Sequence, residues 1–153
     1  MTVFQAKVFA ATIFWAAVVA PFAQAETARG VPPGAAAGIE AAIARDERPS
    51  PAQAIALARQ GALLLDVRST EEWSAGHAKG ALFLPWRQID NEAASKLPNK
   101  DTPIVTYCAV GVRAWYATRA LRKLGYTHVT AMTGGFDDLK ALGYPVADAA
   151  AGG

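Results

Sequence analysis

The stretch Tyr107-Cys108-Ala109-Val110-Gly111-Val112-Arg113 sets a thiol at the start of a short loop and a guanidinium at its end. Cys108 is the only cysteine in 153 residues, so it cannot form a disulfide within the chain. Strand-type residues precede it and a helical pattern follows it. Gly111 permits a backbone turn that a Cβ would hinder. Such a loop can curl around the sulfur, so that the backbone N–H groups of Ala109, Val110, Gly111 and Val112 point inward as an anion nest. The positive end of the next helix and the full charge of Arg113 add to that field. All three favour thiolate over thiol, and the thiolate is the nucleophile. The competing reading is an inert apolar cysteine at a strand end, because free cysteine is among the most buried residue types.

Other residues have chemical potential and a plainer role beside it. Asp66 and Arg68 end an earlier strand on the same sheet edge as Cys108, and an ion pair that ties loops together accounts for both. His77 could be a base, but a thiolate already formed needs none, so a hydrogen-bonding loop residue is expected. Trp86, just past a second strand, either lines the pocket wall or packs under a loop. Trp73 and Trp115 are expected in the core. His128 starts a strand at the amino edge, where it should be exposed and far from the chemistry.

The elements that must position these groups alternate in type. Ser50 caps a helix, with Pro51 in its first turn and Gln53 completing a capping box. Residues 62–67 are a nearly continuous apolar run, as in a buried parallel strand. Ser69 caps a short helix, with Glu72 at the capping-box position. A strand at 81–85, a helix at 88–97, a strand at 103–107, a helix at 113–125 and a strand at 128–132 follow. Gly134-Gly135 leads into a last helix. The pattern predicts an α/β fold with a central parallel sheet of about four to five strands and helices on both faces. Ligands bind such folds at the carboxyl ends of the strands, where Cys108 lies.

Composition removes several classes. At 52% hydrophobic and 18% charged residues the chain is a folded domain. A net charge of +2 without a basic run argues against nucleic-acid binding. One cysteine and two histidines cannot build a zinc cluster.

The first 25 residues are read as a secretory signal peptide. Lys7 precedes an apolar run from Val8 to Ala20, Pro21 breaks it, and Ala23 and Ala25 suit a signal peptidase. Thirteen helical residues rise about 20 Å, short of the ~30 Å hydrocarbon core. Cleavage after Ala25 would release a periplasmic protein with no stable membrane association. Residues 26–49, rich in Ala, Gly and Pro, are read as a flexible or weakly structured segment, with a turn or two of helix over Ile39–Arg45. The folded domain is expected over 50–148, with a disordered tail at 149–153.

Three motifs in order resemble a single-domain rhodanese, a sulfurtransferase, over about residues 50–147. "LLLDVRSTEEWSAGHAKGALFLP" resembles the family's leading signature of Asp-x-Arg, Gly-His and Gly-Ala. "YCAVGVRA" resembles its Cys-x-x-Gly-x-Arg active-site loop, and "MTGGFDDLKALGYPV" its closing Gly-Gly helix and tail. The resemblance implies Cys108 as nucleophile and the loop residues Ala109 to Arg113 as the substrate-binding ring. It implies a small sulfur donor, a cyanide or thiol acceptor, no cofactor or metal, and a monomer. Related cysteine phosphatases and arsenate reductases carry five residues between Cys and Arg; the four here make a narrower ring suited to a persulfide. Two-domain thiosulfate enzymes carry a basic residue in the loop and another past Asp-x-Arg. Here Ala109 and Val110, and Glu71 and Glu72, stand in those regions, so capture of a dianionic donor is expected to fall to Arg113 and the backbone. A persulfide carrier or partner-binding module without turnover is the alternative.

Overall fold

A computed structural model describes residues 33–148. The expected signal peptide, residues 26–32 and the expected tail at 149–153 lie outside the described residues. In chain order the elements are α1 (Pro33–Ala44), α2 (Pro51–Arg59), β1 (Leu63–Asp66), α3 (Thr70–Ser74), β2 (His77–Ala78), β3 (Leu82–Phe83), a 3₁₀ turn (Trp86–Gln88), α4 (Ile89–Lys96), β4 (Ile104–Tyr107), α5 (Val112–Lys123), β5 (Val129–Ala131), α6 (Phe136–Ala141) and β6 (Val146–Ala147). No helix among the described residues is long and apolar enough to cross a membrane.

Four strands form the expected parallel sheet, in the order β3-β1-β4-β5. The two central strands carry the most continuous apolar runs, because helices cover both of their faces. Asp66 pairs with Tyr107 in register, which puts Asp66, Arg68 and Cys108 on one carboxyl edge. Pleating then decides where the sulfur points. Ile104 and Cys108 pack into the core beneath α4 and α5, while Val105 and Tyr107 pack into the opposite core beneath α1, α2 and α6. Thr106 faces α5, where its hydroxyl meets Thr118 at 2.8 Å and the Ala114 carbonyl at 3.0 Å. A period of two from Ile104 through Thr106 therefore delivers Cys108 to the α5 side.

Both expected capping boxes are present, Ser50 with Gln53 on α2 and Ser69 with Glu72 on α3. A two-stranded antiparallel pair was not evident from the sequence: His77 faces Ala147, and Ala78 faces Val146. It ties the Gly-His turn to the chain's closing segment.

Within the segment read as flexible or weakly structured, α1 contains the helix expected from Ile39 and extends it back to Pro33, which corrects the linker reading for 33–38. Ala35 and Ile39 have no exposed surface, and Ala42 is buried. Alanine-rich sequence favours helix, and the sheet face beside α2 needs an apolar cover. Gly38, which reads as a linker residue, is a packing contact: a Cβ there would stand 2.7 Å from Leu57 Cδ2. His128 is half-buried rather than exposed, with Nε2 2.6 Å from Glu40 of α1. Trp115 is not core; it is 39% exposed, because α5 buries Ala114, Ala117, Thr118 and Leu121 instead. Trp73 is half-buried and stacks on His77 and Phe83.

If α1 belongs to the folded unit, Ile39→Ala should cost about 2–5 kcal/mol, as for other fully buried isoleucines. Urea denaturation of the chain measures this. A loss within about 0.5 kcal/mol, the size of a surface substitution, would return α1 to the status of a linker.

Candidate active site

Cys108 leaves the carboxyl end of β4 with no exposed surface. Ala109, Val110 and Val112 turn their side chains to solvent, Val110 being 74% exposed. The loop thus presents backbone to the sulfur. Gly111 N–H donates to Cys108 Sγ at 3.1 Å. Gly111 has φ +87°, which opens the turn, and it is also the N-cap residue of α5. No side chain caps that helix, in contrast to α2 and α3. The positive end of a 12-residue helix is left beside the thiol.

Two remote segments fix the loop. Phe136 N–H donates to the Cys108 carbonyl at 2.9 Å. This contact needs Gly135, because a Cβ there would overlap the Ala109 carbonyl. From the other side, Arg48 Nη2 donates to the carbonyls of Gly111 at 3.0 Å and Met132 at 2.7 Å. Arg48 lies 63 positions before Gly111, in the stretch read as flexible, and no local signal marked it.

Arg113 is brought to the loop as expected, but its charge is not free. Its two terminal nitrogens donate to both Glu72 oxygens, at 2.6 and 2.7 Å. Glu72 serves twice, since Oε2 also accepts from Ser69 N–H at 3.0 Å. Arg113 is the main cause holding the Glu72 carboxyl down at about 2, against a smaller desolvation effect and with help from Ser69. In return Glu72, and secondarily the neighbouring Cys108, push the Arg113 pKa up. The sequence marked Glu72 through the α3 capping box and through its place past Asp-x-Arg, and neither paired it with Arg113.

Asp66 and Arg68 form the expected ion pair, both buried. Arg68 Nη2 meets Asp66 Oδ2 at 2.6 Å and the Gly76 carbonyl at 2.8 Å. Burial opposes the Arg68 charge, but Asp66 outweighs it and the pKa rises. The guanidinium lies 4.2 Å over the Phe136 ring. Burial first, then the Asp66 carboxylate, pushes the Tyr107 hydroxyl up, so it stays neutral.

His77 keeps the plain role: Nδ1 lies 3.3 Å from the Trp73 carbonyl and the ring stacks on Trp73. Trp86 takes both of its expected roles. It packs against the core and lines a cleft of about 390 Å³ with Arg68, Ser69, Pro85, Arg87 and Arg113. Arg87 was not singled out in the sequence; its guanidinium lies 5.0 Å from the Trp86 ring centroid. A nucleophile hydrogen-bonded at an open helix end, beside a cleft lined by three arginines, can attack an anionic or polarisable electrophile and hold the resulting anion.

Residues 50–142 match the family described as Rhodanese-like domain. The chain is 32% identical to the thiosulfate sulfurtransferase PspE of Escherichia coli over 75 residues, covering 49% of this chain and 71% of PspE. It is 34% identical to the thiosulfate sulfurtransferase GlpE of Haemophilus influenzae over 88 residues, covering 58% of this chain and 82% of GlpE. Among solved structures, a Rhodanese_3-like domain from Anabaena is similar with a TM-score of 0.54 at 32% identity. That match covers 57% of this chain and 99% of that domain.

The Glu72–Arg113 pair carries a pH signature. Glu72 has a folded pKa of about 2 against an ordinary 4.5, so its stabilising effect is complete above about pH 4.5 and lost as pH falls towards 2. Glu72→Gln keeps the cap on α3 but removes the charge. Its urea midpoint should lie below wild type at pH 7 and converge on it as pH drops below 4.5. A gap that stays constant down to pH 3 would show that the pair does not contribute.

Proposed function

The chain belongs to the rhodanese-like domain family, and on that premise we propose that it is a sulfurtransferase working through a Cys108 persulfide. The relatives named thiosulfate sulfurtransferases support the reaction class. The observation that carries the assignment of Cys108 is the Gly111 N–H on its sulfur at 3.1 Å, at the uncapped start of α5.

In the first step the Cys108 thiolate attacks the sulfane sulfur of a donor such as thiosulfate or a polysulfide. The Sγ–S bond forms, the donor S–S bond breaks, and sulfite or a shortened polysulfide leaves with the electron pair. The terminal persulfide anion then sits against the backbone N–H groups and the helix end that favoured the thiolate. In the second step cyanide or a thiolate attacks the terminal sulfur, and Cys108 leaves as thiolate. Each step is nucleophilic substitution at sulfur with a covalent intermediate. Neither step needs a base at His77.

The apolar leader Val8–Ala20 with Ala23 and Ala25 supports export, so we assign the mature chain to a periplasm, beginning at Glu26. A second reading, a persulfide carrier that passes sulfur to a partner protein, is favoured by the apolar rim of the loop. Val112 and Tyr116 are 59% and 51% exposed there.

Incubation with a sulfur donor should add one sulfur atom at Cys108, visible by intact-mass spectrometry and reversed by cyanide. Cys108→Ser should fold and lose both the mass gain and turnover. Sulfur transfer at near wild-type rate by that variant would overturn the mechanism. Rapid loading with negligible multiple turnover would select the carrier reading.

A further inference from the structure

Three arginines line the cleft that Arg113, the neighbour of Cys108, borders, and their charges are not equivalent. Arg68 is bound to Asp66 and Arg113 to Glu72, each contact closing to 2.6 Å. Each pair is electrically neutral at neutral pH and presents only a dipole, whose field falls off faster than that of a charge. Arg87 has no carboxylate partner among the described residues. Its guanidinium rests near the Trp86 ring, a contact that orients the charge and leaves it uncancelled. It reaches the cleft because the 3₁₀ turn after β3 ends at the same carboxyl edge of the sheet as Cys108.

We infer that Arg87, rather than the loop's own Arg113, supplies the charge that captures an anionic sulfur donor, and that Glu72 restricts the site's preference for dianions by neutralising Arg113. The inference rests on the sulfur-transfer reading above and deepens it by assigning donor selection. The chemistry is direct. A dianionic thiosulfate entering the cleft meets one uncompensated positive charge, at Arg87, and a Glu72–Arg113 pair whose positive charge is already cancelled. A monoanionic donor meets the same Arg87 with half the charge to place. The guanidinium is exposed, so its substitution leaves the core untouched.

Two measurements test this separately. The first is equilibrium binding of thiosulfate to Cys108→Ala protein, in which no sulfur can be transferred. Adding Arg87→Gln should weaken binding about tenfold, the loss expected for a hydrogen bond to a charged group. Arg87→Lys should restore part of it. Glu72→Gln should tighten binding by about three- to fivefold, because Arg113 then presents its own charge to the anion, an effect the size of an exposed ion pair. The Arg87 effect should shrink as salt rises, because the site is open to solvent. The second is turnover on the Cys108 protein with thiosulfate, a dianion, against benzenethiosulfonate, a monoanion. Arg87→Gln should raise KM for thiosulfate more than for benzenethiosulfonate, with the larger part of the change in KM rather than kcat. Thiosulfate binding unmoved by Arg87→Gln would overturn the inference. So would equal losses with the two donors. If the wild-type protein transfers sulfur from neither donor while binding still depends on Arg87, the sulfurtransferase reading falls and the anion site stands.

Discussion

The loop around Cys108 is held by its carbonyls, and the rest of the site depends on that. Phe136 N–H takes the Cys108 carbonyl and Arg48 takes the Gly111 carbonyl. A trans peptide is planar, so anchoring a carbonyl on one side aims the next N–H to the other. The two anchors therefore orient the Cys108–Ala109 and Gly111–Val112 peptides that open and close the ring, while the Gly111 N–H between them donates to the sulfur. Side chains within the ring could not do this: Ala109, Val110 and Val112 face solvent and have no polar atoms. The close passage of Gly135 beneath Ala109 is part of the same device, because any side chain there would drive the two segments apart.

Electrostatics add a second layer built from pairs. Asp66 and Arg68 are buried, and removing one partner of such a pair strands a charge at a cost of about 3–5 kcal/mol. Arg68 Nη2 also donates to the Gly76 carbonyl and the guanidinium lies over Phe136, so one side chain joins β1, the Gly-His turn and α6. Glu72 and Arg113 are half-exposed and join α3 to α5 across the mouth of the site. These pairs brace the cleft while cancelling most of its charge. The surroundings of the Cys108 sulfur are therefore backbone N–H groups and a helix end, which stay in place whatever the side chains do.

The amino-terminal helix changes what counts as the domain. The family match begins at residue 50, yet Ile39 is fully buried and Arg48 reaches the Cys108 loop at the Gly111 carbonyl. Thr133 N–H also donates to the Pro49 carbonyl at 2.8 Å, which binds the approach to α2 against the end of β5. The segment before residue 50 thus covers one sheet face and supplies one of the loop's two anchors.

Much of this was legible in one dimension. Capping boxes at Ser50 and Ser69, apolar runs at the two central strands and glycines at the turns act within a few residues, so local chemistry determined the helices, the parallel sheet and the place of Cys108 at a strand's carboxyl end. The Cys-to-Arg loop was legible for the same reason. The identity of partners was not. Arg113 reads as a free charge because Glu72 is 41 positions away and was already accounted for by its cap. Alanine and glycine up to Gly38 read as a linker because the packing of α1 on α2, where Ala35 and Ile39 are buried and Gly38 meets Leu57, is a tertiary contact. Arg48 and Arg87 carried no mark, since a guanidinium that binds a distant carbonyl or stands unpaired in a cleft looks like any surface arginine. Sequence alone determined which groups could react and which edge of the sheet would hold them. Tertiary structure decided which charges cancel, because cancellation depends on distances between elements that no local pattern encodes.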